Sequence, residues 1–140
     1  MLTDKYTAIR RQKCFLPIFL TGVSAGFPSP AEDYIEKQLD LNDLVIQHPS
    51  ATFFVRVVGD SMRDAGIFSG DILAVDRSLE PSSGKIVVAL LNGEFTVKRL
   101  HIDAREVTLL PENEAFPAIV VTPDSDFQVW GVVTYVIHKT

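Results

Sequence analysis

From Ala51 onward the chain is a succession of short β-branched or aromatic runs, at residues 53–58, 71–76, 85–91, 94–101, 106–110, 118–121 and 127–138, separated by turn residues. Seven strands within ninety residues predict a mainly β domain, a compact and strongly bent sheet or barrel-like fold. The sharpest local signal is Asn92-Gly93 between two of these runs, because both positions of a type I′ hairpin turn need positive φ. Residues 94–101 are then the return strand of a hairpin. On it Thr96, Lys98 and Leu100 share one face, and Phe95, Val97 and Arg99 share the other. With 140 residues and 46% apolar side chains, the chain can bury one core and carry a short arm.

The arm is residues 1–29, which show no sustained period and end in the Pro/Gly/Ser-rich stretch 22–30. Ser29, Pro30 and Glu32 form an N-cap, a first helical position and a capping-box partner, so a short helix is expected over about 30–38. Asp40 is placed to cap a further turn through Leu44, Val45 and Ile46. The expected organisation is a cleavable arm over 1–29 and a β-rich domain over 30–140. Charge divides unevenly between them. Residues 1–25 carry Lys5, Arg10, Arg11 and Lys13 against Asp4, a net of +3, whereas the rest holds 9 basic and 17 acidic side chains, a net of -8. A body of that sign repels phosphate, which argues against direct nucleic-acid binding. The single Cys14 excludes an internal disulfide and suits a reducing compartment, so the expected location is the cytoplasm, without membrane attachment.

The chemistry-bearing residues are Ser61, in the turn opened by Gly59, and Lys98 on the hairpin's return strand. A serine hydroxyl needs a neutral base to become a nucleophile. Lysine is ordinarily charged, with a pKa of about 10.4, and lowering that by about three units requires roughly 4 kcal/mol of differential solvation. An apolar cleft can supply it. Thr96, two residues before Lys98, is placed to aim the amine, and Glu94 is expected to point away at the hairpin end, since a nearby carboxylate would keep the lysine charged. Backbone N–H groups at or beside Ser61 are candidate oxyanion donors. On these residues alone, the plainer reading is favoured: a serine in a turn and a lysine that keeps an edge strand soluble.

The blocks Gly59-Asp60-Ser61-Met62, Gly70-Asp71-Ile72-Leu73-Ala74-Val75-Asp76 and Gly93-Glu94-Phe95-Thr96-Val97-Lys98-Arg99-Leu100 resemble the self-cleaving LexA/UmuD serine peptidase family. Gly26-Phe27-Pro28-Ser29-Pro30, Asp40-Leu41-Asn42 and Gln47-His48-Pro49-Ser50-Ala51-Thr52 are similar to its UmuD/MucA branch, and the likeness runs from about Phe15 to His138. The resemblance implies that Ser61 is the nucleophile, Lys98 the general base and Ala25-Gly26 the scissile bond, with Thr96 and Met62 in support. It implies a LexA-type peptidase domain with no cofactor and no metal. It also implies SOS mutagenesis: a homodimer whose self-cleavage is stimulated by a RecA filament on single-stranded DNA, and whose shortened form joins a UmuC-type translesion DNA polymerase. The 25 residues before the bond are too few for the helix-turn-helix domain of the family's repressors.

Two other readings use the same features. Basic residues at 10–13, an apolar stretch over 14–23 and Val23-Ser24-Ala25 imitate a secretory signal peptide ending at Ala25, although Pro17 interrupts the apolar run. Alternatively, the β domain is a non-catalytic dimerisation and partner-binding module. The apolar residues 15–20 form a candidate docking strand for a sheet edge. His48, His101 and His138 lack ligand spacing and are assigned surface or packing roles, Trp130 and Phe127 to core or subunit contact, and Cys14 to a bystander thiol.

Overall fold

The computed structural model describes residues 12–20, 22–27 and 36–140. The chain forms two compact units, residues 1–46 and 47–140.

In the first unit, β1 (Phe15–Phe19) pairs antiparallel with β2 (Glu36–Asp40), Phe15 lying opposite Asp40 and Phe19 opposite Glu36. The helix expected over 30–38 is therefore a strand where it is described, at Glu36 to Gln38, and its residues 30–35 lie outside the described residues. Capping signals are local, whereas ladder hydrogen bonds from β1 come from a segment twenty residues away and override them. The second expected turn is present: α1 (Leu41–Val45) is capped by Asp40, whose carboxylate accepts from the Asn42 backbone N–H at 2.9 Å. Residues 22–27 carry neither helix nor strand, and Ala25 and Gly26 are both exposed.

The second unit contains all seven expected strands, within two residues of their predicted ends: β3 (Thr52–Arg56), β4 (Ile72–Asp76), β5 (Ile86–Leu91), β6 (Glu94–Ile102), β7 (Val107–Leu110), β8 (Ile119–Val121) and β9 (Phe127–Ile137). They make one antiparallel sheet in the order β3-β4-β9-β5-β6-β7-β8. Among the described residues β3 and β8 do not pair, so the sheet is bent but not closed into a barrel. The β5–β6 hairpin turns at Asn92 (φ 49°) and Gly93 (φ 83°), as the dipeptide requires.

The eleven-residue β9 is an interior strand, pairing with β4 on one side and β5 on the other, with a register shift in each ladder. Such bulges bend a sheet and strengthen its twist. Alternation then sorts the buried side chains into two clusters. Val57, Met62, Ile67, Leu73, Val75 and Val88 form one, and Val87, Ala89, Leu100, Leu109 and Val132 form the other. Each fully buried aliphatic side chain contributes roughly 1.5–3 kcal/mol. Gly131 permits the close approach of β9 to β4, since a Cβ there would stand 2.7 Å from Val75 Cγ1 and 3.1 Å from the Asp76 carbonyl oxygen.

Two buried carboxylates flank β4. Asp71 accepts from the Phe68 N–H at 2.8 Å and pairs with His138 Nδ1 at 2.6 Å, while Asp76 accepts from Ser78 N and Oγ and pairs with His48 Nδ1. His48 and His138 thus tie loop and C-terminal segments to the sheet, a more specific role than surface packing.

Candidate active site

The turn that presents Ser61 is held at both ends. After β3, Val57 exchanges backbone hydrogen bonds with Asp71 and Gly70, each 2.8 Å, which keeps the outgoing chain against the incoming strand β4. Gly59 then takes φ 97°, a conformation open to glycine at little cost, and donates its N–H to Ser69 Oγ at 3.1 Å. Met62, 2% exposed, anchors the turn in the first core cluster, so the adjacent Ser61 stays at the surface, half-buried. The chain continues into a single 3-10 turn, Arg63–Ala65, ended by Gly66 in the left-handed conformation.

Lys98 arrives from β6, opposite Val87 of β5. The residue is 8% exposed, and its Nζ donates to Ser61 Oγ at 3.0 Å, Thr96 Oγ1 at 2.8 Å and the Val97 carbonyl at 3.0 Å. Among the described residues no carboxylate lies within ion-pairing distance of it, and Glu94 is exposed at the hairpin end. Burial therefore lowers the Lys98 pKa from its ordinary 10.5. A neutral amine in this position can take the Ser61 proton, and Thr96 fixes the direction of its approach.

Ser61, Thr96 and Lys98 open into a cleft of about 530 Å³ whose apolar walls include Phe53, Phe95 and Trp130. The Phe53 and Phe95 rings meet the Trp130 indole edge-on, with centroids 6.2 and 4.9 Å away, and the Arg77 guanidinium lies 5.2 Å from its centroid. These rings line the same cleft as the lysine.

Of the residues singled out from sequence, Ser61, Met62, Thr96 and Lys98 come together, and Ala25 and Gly26 belong to the first unit. The aromatic walls were not foreseen as part of the site. Trp130 stood only as core or subunit contact, because face alternation along one strand does not reveal which loop covers it. Glu112 and Asn113 were missed altogether: the Glu112 N–H donates to the Ser61 carbonyl at 2.7 Å, and Asn113 Nδ2 to the Asp60 carbonyl at 2.9 Å. A Pro-Glu-Asn stretch after a strand reads as an ordinary turn.

The antiparallel β domain agrees with the class to which comparison assigns the chain. Residues 17–134 match the Peptidase S24-like family, and the chain belongs to it. The chain is 51% identical to Protein SamA of Salmonella typhimurium over 124 residues, covering 89% of this chain and 86% of that protein. It is 50% identical to Protein MucA of Escherichia coli over 121 residues, 86% of this chain and 82% of MucA. The LexA repressor of Verminephrobacter eiseniae is 41% identical over 118 residues, which are 84% of this chain but 52% of the repressor. The expected UmuD/MucA kinship and the mainly β fold are both borne out.

Proposed function

We propose that this protein is a self-cleaving SOS mutagenesis protein that cuts its own Ala25–Gly26 bond with a Ser61/Lys98 dyad. The observation that carries the reading is the 3.0 Å contact between Lys98 Nζ and Ser61 Oγ at an amine whose charge is disfavoured by burial. Lys98 removes the hydroxyl proton as Ser61 Oγ bonds to the Ala25 carbonyl carbon. The Ala25–Gly26 C–N bond then breaks, the proton passes to the Gly26 amine, and water hydrolyses the acyl-enzyme. Small side chains at both positions let the substrate backbone lie close to the nucleophile.

A tethered substrate has a high effective concentration, so such an enzyme needs restraint more than speed. Two states supply it: arm docked with Lys98 neutral, or arm elsewhere with Lys98 charged. A RecA filament on single-stranded DNA stimulates cleavage by favouring the first, without contributing catalytic groups. Cutting removes the basic residues 1–25 from a body of net charge -8, and the shortened homodimer serves a UmuC-type translesion polymerase in the cytoplasm. No helix among the described residues is long and apolar enough to cross a membrane.

The test is the mass of the purified protein after incubation at alkaline pH. A product beginning at Gly26 that disappears in Ser61→Ala supports the reading. Processing after Ala25 in cells carrying Ser61→Ala would point instead to a signal peptide, and an intact wild-type chain at every pH to a non-catalytic module.

A further inference from the structure

The nucleophile turn is gripped from outside by a segment that contributes no group to the dyad. Asn113, 8% exposed, donates Nδ2 to the Asp60 carbonyl at 2.9 Å, while its Oδ1 accepts from the Ala115 N–H at 3.0 Å. The next carbonyl, that of Ser61, accepts from the Glu112 N–H at 2.7 Å, and the Glu112 carbonyl accepts from the Asp64 N–H at 2.8 Å. The Glu112 carboxylate is in turn held by Arg99 Nε, and Arg99 Nη1 donates to the Gly84 carbonyl at 2.6 Å. Arg99 immediately follows Lys98 on β6. One strand therefore carries the base and, through the next residue, ties down the loop that holds the nucleophile.

A trans peptide is planar, with its C=O and N–H pointing to opposite sides. The Asp60 carbonyl accepts from Asn113 Nδ2 and, at a longer 3.2 Å, from the Arg63 N–H within the turn; drawing it toward Asn113 turns the Ser61 N–H away from Asn113. Among the described residues that N–H has no hydrogen-bond acceptor. A donor left free beside the attacking hydroxyl, its plane fixed by a buried side chain, is suited to a developing oxyanion.

We propose that Asn113 is a positioning residue for self-cleavage: it locks the Asp60–Ser61 peptide so that the Ser61 N–H faces the reacting carbonyl while Ser61 Oγ stays on Lys98. The inference rests on the self-cleavage reading above. Asn113 touches neither the substrate nor the base, so it acts on the height of the rate and not on the titration of the amine.

The experiment compares full-length wild type, Asn113→Ala and Asn113→Asp. First-order self-cleavage rates are measured from pH 7 to 11, and folding is checked by thermal melting. Asn113→Asp keeps the size and the acceptor for Ala115 N–H but sets a carboxylate against the Asp60 carbonyl, so it removes the donation even if Asn113→Ala unfolds. The expected result is a plateau lowered about 10- to 100-fold in the folded variants, with the pH midpoint unchanged in Asn113→Ala. A folded variant that cuts within twofold of wild type overturns the role of Asn113 while leaving the dyad intact. A moved midpoint in folded Asn113→Ala overturns it too, since Asn113 would then act through Lys98; in Asn113→Asp the added carboxylate itself raises the midpoint, so that variant is read by its plateau alone. If wild type itself releases no product beginning at Gly26, the self-cleavage reading fails and this inference falls with it.

Discussion

Lys98 Nζ and Ser61 Oγ lie 3.0 Å apart although 37 residues separate them in the chain. The contact joins a hairpin strand to a glycine-opened turn, and among the described residues the lysine reaches it without a carboxylate partner. Its consequences are measurable in rate and in stability.

Self-cleavage by a neutral lysine has a definite pH dependence. The rate rises tenfold per pH unit while Lys98 is mostly charged and levels off below 10.5, because burial lowers its pKa from that value. Lys98→Arg keeps a cation in place but has no base near these pH values, so the plateau falls by about 10²- to 10⁴-fold. Product formation followed by mass spectrometry across pH checks both statements.

Thr96 contributes through one hydrogen bond to the amine, 2.8 Å long. Thr96→Val preserves shape and removes that bond. The plateau rate drops roughly 3- to 10-fold, the worth of one bond of about 1 kcal/mol. The midpoint moves to lower pH, since Thr96 Oγ1 accepts from Nζ and favours the charged form. An unchanged profile in the same assay would remove Thr96 from the site.

The buried lysine also makes stability pH-dependent. Its folded pKa lies below the unfolded value, so between the two the unfolded chain binds more protons and stability rises with pH. Below the folded pKa the full burden of burying a charge is present. Lys98→Met therefore melts higher than wild type at pH 7, and its advantage shrinks as pH approaches 10.5. Thermal denaturation at several pH values, in a Ser61→Ala background to prevent cutting, reads the difference.

Gly131 sits where β9 crosses closest to β4. Gly131→Ala forces a methyl group to 2.7 Å from Val75 Cγ1, on a side chain with no exposed surface, and to 3.1 Å from a backbone oxygen. The cost is about 1–3 kcal/mol, as for other overpacked sites, and the melting temperature falls by several degrees. Gly22→Ala, with nothing within 4 Å of the added carbon, serves as the control and leaves it unchanged.

The sequence by itself determined the seven strands, the hairpin at Asn92-Gly93, the Asp40 cap and the residue types able to do serine-peptidase chemistry. All of these are written in short-range periodicity and turn chemistry, which operate over a few residues. The tertiary structure alone decided that Glu36–Asp40 is a strand, because β1 supplies hydrogen bonds that local capping preferences cannot anticipate. It likewise decided that Lys98 is buried, on an interior strand opposite Val87 and at the wall of a cleft closed by residues from several strands. The placement of Asn113 behind the nucleophile, 53 residues from the carbonyl it holds, is of the same kind. Burial and long-range hydrogen bonding depend on which surfaces a bent sheet brings together, and no run of neighbouring residues encodes that.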